Sequence, residues 1–164
     1  MRIRELERRE WALYRELRLR SLADSPDAFG RRFADEQAQP EAYWIRLTEL
    51  VTEPGGQVML VAEDNGRALG LTFGIFDKEH PKTGHVGGMW VEPGSRGKGT
   101  GQALLSAAIE WARSRRLERL ELWVTEGNLP ATRLYEQLGF ADTGRRDALQ
   151  SNPTLRVMQM ILTL

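Results

Sequence analysis

The spacing of apolar and polar residues in the middle of the chain predicts a strand, a glycine-rich loop and a helix, in that order. Residues 84–91 end in Met-Trp-Val and are predicted to form a strand, which Pro93-Gly94 terminates. From Gln102 to Arg116, apolar residues recur at steps of three and four, which is the period of an amphipathic helix. Free N–H groups at the start of that helix, next to three glycines at every second position, indicate an anion site.

The rest of the chain alternates between helical and strand periods, which favours an α/β fold with a mixed sheet. In chain order we predict a short strand at Ile3, helices at Glu5–Ala23 and from Pro40, a β-hairpin at Gln57–Phe76, a strand near Glu121–Val124, a helix after Asn128, and a closing hairpin of Phe140–Arg145 and Leu155–Leu164 with a long connection. Gly87-Gly88 predicts a β-bulge, and the small residues Gly70 and Gly74 predict a closely packed helix. One domain is expected for residues 1–164.

Composition excludes several classes of site. The chain has 164 residues, no net charge at neutral pH, no cysteine and two histidines. Disulfides, thiolate metal sites and a cysteine nucleophile are therefore excluded, and a histidine-rich metal site is not expected. A chain without net charge has no overall field that would attract nucleic acid or an anionic membrane. Because there is no long apolar run and no signal-peptide core, we expect a cytoplasmic protein without a metal, nucleic-acid or membrane partner.

The loop sequence narrows the kind of anion site. A P-loop needs Ser or Thr after Gly-Lys, but Gly99 follows Gly97-Lys98 in this chain. The dinucleotide-binding fingerprint needs a glycine at the position that Gln102 occupies. The pattern that remains is Arg-x-x-Gly-x-Gly, formed by Arg96, Gly99 and Gly101.

A second pattern lies downstream, between Asn128 and Phe140. It has the form Asn-x-x-Ala-x-x-Leu-Tyr-x-x-x-Gly-Phe, in which Asn128 suits a helix cap and Gly139 suits a helix stop. Together the two patterns resemble the signatures of the GCN5-related N-acetyltransferase (GNAT) superfamily, and the resemblance covers roughly residues 56–164. It implies a GNAT-like fold, with a mixed central sheet splayed between its fourth and fifth strands, helices on both faces, and acetyl-CoA in the gap.

The resemblance also implies which residues hold acetyl-CoA. Backbone N–H groups of the loop would bind the pyrophosphate, and the exposed backbone at the end of the fourth strand would pair with the pantetheine arm. The expected cofactor-binding residues are Met89, Trp90, Val91, Arg96, Gly97, Lys98, Gly99, Thr100, Gly101 and Asn128. Asn128 has two interpretations, as a helix cap and as a cofactor contact.

Tyr135 is the candidate general acid. A phenol with an ordinary pKa of about 10 carries a proton at neutral pH, and in similar proteins this tyrosine lies near the thioester sulfur. The alternative is a core tyrosine that packs beside Leu134 and Leu138. Glu92 is the tentative general base, and His85, which can titrate near neutrality, is the second candidate. Because related proteins often use a water chain or a distant carboxylate, the base stays open.

The resemblance implies an enzyme that moves an acetyl group from acetyl-CoA directly to a primary amine of a small molecule or peptide. The alternatives are a non-catalytic acyl-CoA-binding sensor or regulatory module, and transfer of a longer acyl group. The first two helices would line the acceptor side, where aromatic and acidic residues either bind a cationic amine or form core and solvated surface. These residues are Phe29, Phe33, Tyr43, Trp44, Asp24, Asp27, Asp35 and Glu36. Dimerisation is common in the superfamily, so a homodimer is an alternative to a monomer.

Overall fold

The computed structural model describes all 164 residues, which form seven strands and five α-helices. The strands are β1 (Arg2–Glu5), β2 (Val58–Asp64), β3 (Arg67–Phe76), β4 (Thr83–Val91), β5 (Arg119–Thr125), β6 (Ala141–Leu149) and β7 (Asn152–Thr163). The helices are α1 (Trp11–Asp24), α2 (Phe33–Gln37), α3 (Glu41–Val51), α4 (Thr100–Ser114) and α5 (Leu129–Gln137). None of these helices has the length and apolar content that a membrane-spanning helix needs.

All seven strands belong to one sheet, in the order β1-β2-β3-β4-β5-β7-β6. Every neighbouring pair is antiparallel except β4 and β5, which are parallel. The parallel pairing covers only residues 83–85 against 119–121, so the two strands separate beyond this point. The sheet therefore confirms the predicted splay between the fourth and fifth strands. From residue 86 onward, the edge of β4 that faces β5 has no strand partner.

Helices cover both faces of the sheet because successive residues of a strand point to opposite faces. In β2, Val58, Leu60 and Ala62 pack in a core with residues of α4 and α5. Met59 and Val61 pack in a second core with residues of α1. This arrangement confirms the predicted layers of helices on both faces.

Helix α4 packs closely on the sheet because the strand residues beneath it are small. A Cβ at Gly74 would lie 2.6 Å from the ring of Trp111, and a Cβ at Gly70 would lie 3.3 Å from Leu104. Leu104 is completely buried, and full burial of a leucine side chain contributes about 1.5–3 kcal/mol. The predicted close packing is confirmed, and it restricts how α4 can lie on the sheet.

Strand β4 carries a bulge directly before its last residues. Its pairing with β3 moves from Leu71 opposite Trp90 to Phe73 opposite Gly87, so β4 contains one extra residue here. Gly88 has φ of +61°, a backbone conformation that favours glycine. The bulge predicted from Gly87-Gly88 is thus confirmed.

Three expectations about the elements are wrong. Helix α1 begins at Trp11 and not at Glu5, because residues 2–5 pair with β2 as an edge strand. The sequence predicts no element between Ala23 and Pro40, but Phe33–Gln37 forms α2, whose five residues are too few to show a period. The closing hairpin has no long connection, since β6 ends at Leu149 and β7 begins at Asn152.

Candidate active site

A cavity of about 510 Å³ lies at the open end of the splay between β4 and β5. Its walls are the end of β4, the loop before α4, one side of α5 and the turn after α1. The lining residues are Ser25, Ala28, Phe29, Met89, Trp90, Val91, Arg96, Gly97, Gly99, Gly101, Gln102, Asn128, Pro130, Ala131, Leu134 and Gln137. Of the residues expected to bind the cofactor, all line this cavity except Lys98 and Thr100.

The loop before α4 presents a row of unpaired backbone donors. No N–H group of residues 97–102 donates to another backbone group, and the helix start has no side-chain cap. Gly97 and Gly99 have φ values of +71° and +83°, and a Cβ at either position would meet no atom within 4 Å. These glycines are required by backbone conformation, and the space in front of the helix is open. Such a row at the positive end of a helix dipole attracts an anion.

Arg96 is held at the cavity by its own ion pair. Its Nε donates to Val91 O at 2.9 Å, and its guanidinium also donates to Asp24. The indole Nε1 of Trp90 donates to the same carboxylate at 2.9 Å. Burial raises the pKa of Asp24, but hydrogen bonds from Ser25, Trp90 and Arg96 outweigh this effect and keep the pKa below its ordinary value. Asp24 therefore stays ionised and ties the end of α1 to the end of β4.

Lys98 and Thr100 line a separate cleft of about 910 Å³. The Nζ of Lys98 donates to Gly94 O at 2.7 Å. Thr100 is only 2% exposed, and its hydroxyl donates to Ser95 O at 3.3 Å. Both side chains thus bond to backbone carbonyls of the turn after β4, which helps to fix the loop.

Asn128 combines the two interpretations given by the sequence. Its Oδ1 accepts a hydrogen bond from the N–H of Ala131 at 3.4 Å, which confirms the predicted helix cap. The same residue lines the cavity. Capping uses the oxygen alone, so the amide nitrogen remains available to another acceptor.

Tyr135 is embedded in the core that α4 and α5 share. The residue is 7% exposed, and its ring centroid lies 6.1 Å from that of Phe140. The hydroxyl of Tyr135 has no hydrogen-bond partner in the protein. The polar side-chain atoms that are both unpartnered and fully buried are the indole nitrogens of Trp44 and Trp111. Because the Tyr135 hydroxyl is not one of them, it retains some exposed surface. Burial raises the pKa of Tyr135 to about 12, which keeps the hydroxyl protonated at neutral pH. Its chain neighbour Leu134 lines the cavity, and Tyr135 itself is not among the lining residues.

Glu92 is buried in an ion-pair network that faces the separate cleft. Its Oε2 accepts from Arg20 at 2.7 Å and from Arg67 at 2.8 Å, and its Oε1 accepts from Ser95 at 3.1 Å. Burial raises the pKa of Glu92, but the hydrogen bonds from Arg20 and Ser95 and the charge of Arg67 outweigh it and lower the pKa. The sequence singled out Glu92 as the tentative base, but the structure does not bring it into the 510 Å³ cavity.

His85, the second candidate base, lies where β4 and β5 are still paired. Its Nε2 is 3.3 Å from Asp77 Oδ2, and its Nδ1 is 3.8 Å from Glu121 Oε2. The same oxygen of Asp77 is 3.0 Å from Nδ1 of His80. His85 therefore belongs to a polar cluster at the closed end of the splay, and it does not line the cavity.

Sequence reasoning missed several cavity residues. Ser25 lies on the turn after α1, and no periodic pattern marks such a turn. Gln102 and Leu134 also line the cavity. A signal for Gln102 was present, because a residue in the first turn after a glycine-rich loop lies beside the same helix terminus as the loop donors.

Comparisons with known proteins match this geometry. The model of the Acetyltransferase (GNAT) family matches residues 5–140. Mycothiol acetyltransferase from Thermomonospora curvata is 37% identical over 116 residues, which cover 68% of this chain and 37% of that protein. Mycothiol acetyltransferase from Acidothermus cellulolyticus is 30% identical over 141 residues, covering 78% of this chain and 40% of that protein. The chain spans about two fifths of the length of these relatives.

Solved structures share the fold over nearly the whole chain. An acetyltransferase of the GNAT family from Streptococcus pneumoniae has a TM-score of 0.83 at 25% identity, covering 99% of this chain and 98% of that chain. A Salmonella typhimurium protein, determined with its cofactor acetyl-CoA, has a TM-score of 0.83 at 22% identity, covering 100% of this chain and 94% of that chain. With its splayed sheet, its loop of free donors and the match to the family model, the chain belongs to the acetyltransferase (GNAT) family.

Proposed function

We propose that residues 1–164 form one N-acetyltransferase domain, which moves the acetyl group of acetyl-CoA directly to a primary amine. The observation that carries this proposal is the row of unpaired N–H groups at residues 97–102, which lies next to the unpaired edge of β4. One feature suits a pyrophosphate and the other suits the amide-containing arm of coenzyme A. The bound acetyl-CoA of the similar Salmonella typhimurium structure supports the same choice of donor.

The hydrogen-bond donors at the cavity can be matched to successive parts of coenzyme A. Loop N–H groups of Gly97, Gly99, Thr100 and Gly101 would hold the pyrophosphate, with charge added by Arg96 at the cavity. Backbone groups of residues 89–91 would pair with the pantetheine arm as an added strand would. Lys98 contributes its charge to the loop from outside the cavity, and the free amide nitrogen of Asn128 adds a donor.

Two chemical tasks remain for the chain beyond holding the donor. Acetyl-CoA supplies the acetyl group as a thioester, and coenzyme A leaves as a thiol. The amine nitrogen forms a bond to the acetyl carbon while the carbon–sulfur bond breaks. Tyr135 would give its hydroxyl proton to the departing sulfur and would be reprotonated by the second proton that the acetylated nitrogen loses. A backbone N–H at the bulge of β4 would stabilise negative charge on the acetyl oxygen.

The proton of the incoming ammonium must also leave. Glu92 is poorly suited to take it, because its carboxylate already accepts hydrogen bonds from Arg20, Arg67 and Ser95. We assign Glu92 to holding the turn before the loop, and we assign removal of the amine proton to solvent in the cavity. The free hydroxyl of Tyr135 favours a catalytic role over the alternative of an acyl-CoA sensor. The cytoplasmic location and the homodimer stay predictions.

The test is release of free thiol from acetyl-CoA across a panel of amines, with acetyl-CoA binding measured by calorimetry in the same samples. The panel contains polyamines, aminoglycosides, amino acids, peptides with free N-termini or lysines, and amines related to mycothiol, because relatives carry that name. Saturable release with one class is the expected result. Binding of acetyl-CoA without release for any amine would overturn the proposal in favour of the sensor.

A further inference from the structure

A small cavity of about 160 Å³ lies on the α1 side of the sheet, next to the bulge of β4. Its polar side chains come from α1, the segment before α2, α2 itself and α3. They are Tyr14, Arg18, Arg31, Glu36 and Tyr43, and the backbone of Gly88 and apolar side chains of α3, β2 and β3 complete the wall. We call this the bulge cavity. Nothing in the proposed chemistry so far uses it.

The charges in the bulge cavity do not cancel. Glu36 is 4% exposed, lies 3.8 Å from Arg31 Nε and accepts a hydrogen bond from the Tyr43 hydroxyl at 3.3 Å. Arg18 takes part in no ion pair of this kind, and its guanidinium instead lies over the ring of Phe29 at 5.1 Å. Burial lowers the pKa of Arg18, and the nearby Tyr14 and Glu36 only partly oppose this effect. One partly buried positive charge is therefore left without a bonded anion, which is a costly arrangement unless something compensates it.

The bulge cavity adjoins the main cavity. Phe29 lines the main cavity, and its ring carries the guanidinium of Arg18, which lines the bulge cavity. On the strand, Gly88 lines the bulge cavity and the next residue, Met89, lines the main one. The two cavities are therefore neighbours at Phe29 and at residues 88–89, next to the backbone that would hold the pantetheine arm.

We infer that the bulge cavity is the acceptor subsite, and that Arg18 binds an anionic oxygen group, a carboxylate or a phosphate, on the amine that is acetylated. This inference rests on the proposed function. A volume of about 160 Å³ corresponds to roughly five water-sized groups at about 30 Å³ each, which suits one anionic group but not a whole acceptor. The guanidinium of an arginine matches carboxylate and phosphate geometry, with two parallel donors.

This assignment differs from the cationic acceptor that was one of the two interpretations of the aromatic and acidic residues in the sequence. Of the acids considered there, Glu36 already pairs with Arg31 and Tyr43, and Asp24 pairs with Arg96. Neither carboxylate therefore offers an unpaired negative charge that could bind a polyamine. Among the charged residues that line the bulge cavity, the one without an ionic partner is Arg18, which is positive.

The test uses acceptor pairs that share a carbon skeleton and differ in the anion, and each kcat/KM is divided by the fraction of neutral amine at the assay pH, because the anion also shifts the pKa of the amine. Alanine is compared with alaninamide for the carboxylate, and O-phosphoethanolamine is compared with ethanolamine for the phosphate. In the unaltered protein we expect the anionic member of at least one pair to have the higher kcat/KM, by about 10- to 100-fold. In Arg18→Gln that ratio should fall to within about twofold of one, and Arg18→Lys should keep part of the preference because it keeps the charge.

Arg15→Gln is the matched control. Arg15 lies on the same helix, is exposed and lines neither cavity, so its loss should leave the ratio unchanged. A preference for the neutral members, or an anion preference that survives in Arg18→Gln, would overturn the inference while the transferase proposal stands.

If acetyl-CoA binds but no amine is acetylated, the transferase proposal is refuted. The inference about Arg18 is then tested separately, by the binding of anions. The Nε–H resonance of Arg18, assigned by its loss in Arg18→Lys, is then followed by NMR with acetate, phosphate or chloride at equal ionic strength. A saturable shift with acetate or phosphate alone supports an anion subsite. A resonance that responds equally to chloride overturns it, and this readout does not depend on the folding of Arg18→Gln.

Discussion

Replacing Tyr135 by phenylalanine removes one oxygen atom and leaves the ring in place. The hydroxyl has no protein partner and the residue is 7% exposed, so the free energy of unfolding should change by less than about 1 kcal/mol. A general acid typically contributes about 10²- to 10⁴-fold to a rate. We therefore expect kcat to fall by that factor, which is about 2.7 to 5.4 kcal/mol in the activation free energy. The KM for acetyl-CoA should stay within about twofold, since Tyr135 is not among the residues expected to hold the cofactor.

The assay follows thiol release at saturating acceptor from pH 6 to pH 10.5, with thermal unfolding and acetyl-CoA affinity measured on the same preparations. Because burial raises the pKa of Tyr135 to about 12, its acid form should persist over this range and cause no alkaline loss of kcat. Tyr14→Phe serves as a reference for stability only, because Tyr14 is equally buried, at 7% exposure, and lies on the other face of the sheet. A Tyr135→Phe protein with unchanged kcat, unfolding temperature and acetyl-CoA affinity would refute the acid role.

Three further substitutions test the surrounding structure. Glu92→Gln should lower the unfolding temperature at pH 7 and leave kcat within about threefold of the unaltered protein; a loss of 100-fold or more without unfolding would restore Glu92 as the base. Gly74→Ala should destabilise by about 1–3 kcal/mol in chemical denaturation, because its Cβ would lie 2.6 Å from the ring of Trp111, whereas Gly94→Ala, which meets nothing within 4 Å, should not. Asp24→Asn should destabilise most above pH 4 and progressively less below it, because the pKa of Asp24 is lowered in the folded state and its stabilisation is lost as the pH falls through that lowered value. A destabilisation independent of pH would contradict the ionised Asp24.

The part of the site that could be predicted from the sequence is the part that is local in the chain. A strand, a break, alternating glycines and a helix determine where unpaired N–H groups lie without reference to any distant residue. The cap at Asn128 and the bulge at Gly87-Gly88 are local in the same sense, and both were predicted with their residues. The splay itself came from the resemblance, since no periodicity distinguishes strands that pair from strands that part.

The residues that sequence reasoning placed poorly depend on distant partners. Glu92 was a reasonable base from its position after β4, but its environment comes from Arg20 and Arg67, which lie 72 and 25 residues away. The ion pair of Asp24 with Arg96 also spans 72 residues. Arg18 is one of three arginines on α1, and only the packing of that helix shows that its charge has no ionic partner.

The fold controls the site through contacts that take no part in the chemistry. Small residues of β3 allow α4 to lie close to the sheet, and so restrict where its free N–H groups can point. Glu92 connects the turn after β4 to α1 and β3, and Asp24 connects α1 to the loop arginine. The same helix α1 also carries Arg18. Helix α1 therefore helps to position both the loop that would hold acetyl-CoA and the proposed acceptor subsite. Because catalysis needs both reactants held in one fixed geometry, the ion pairs of Glu92 and Asp24 would serve the reaction by fixing α1 against the turn and loop that follow β4.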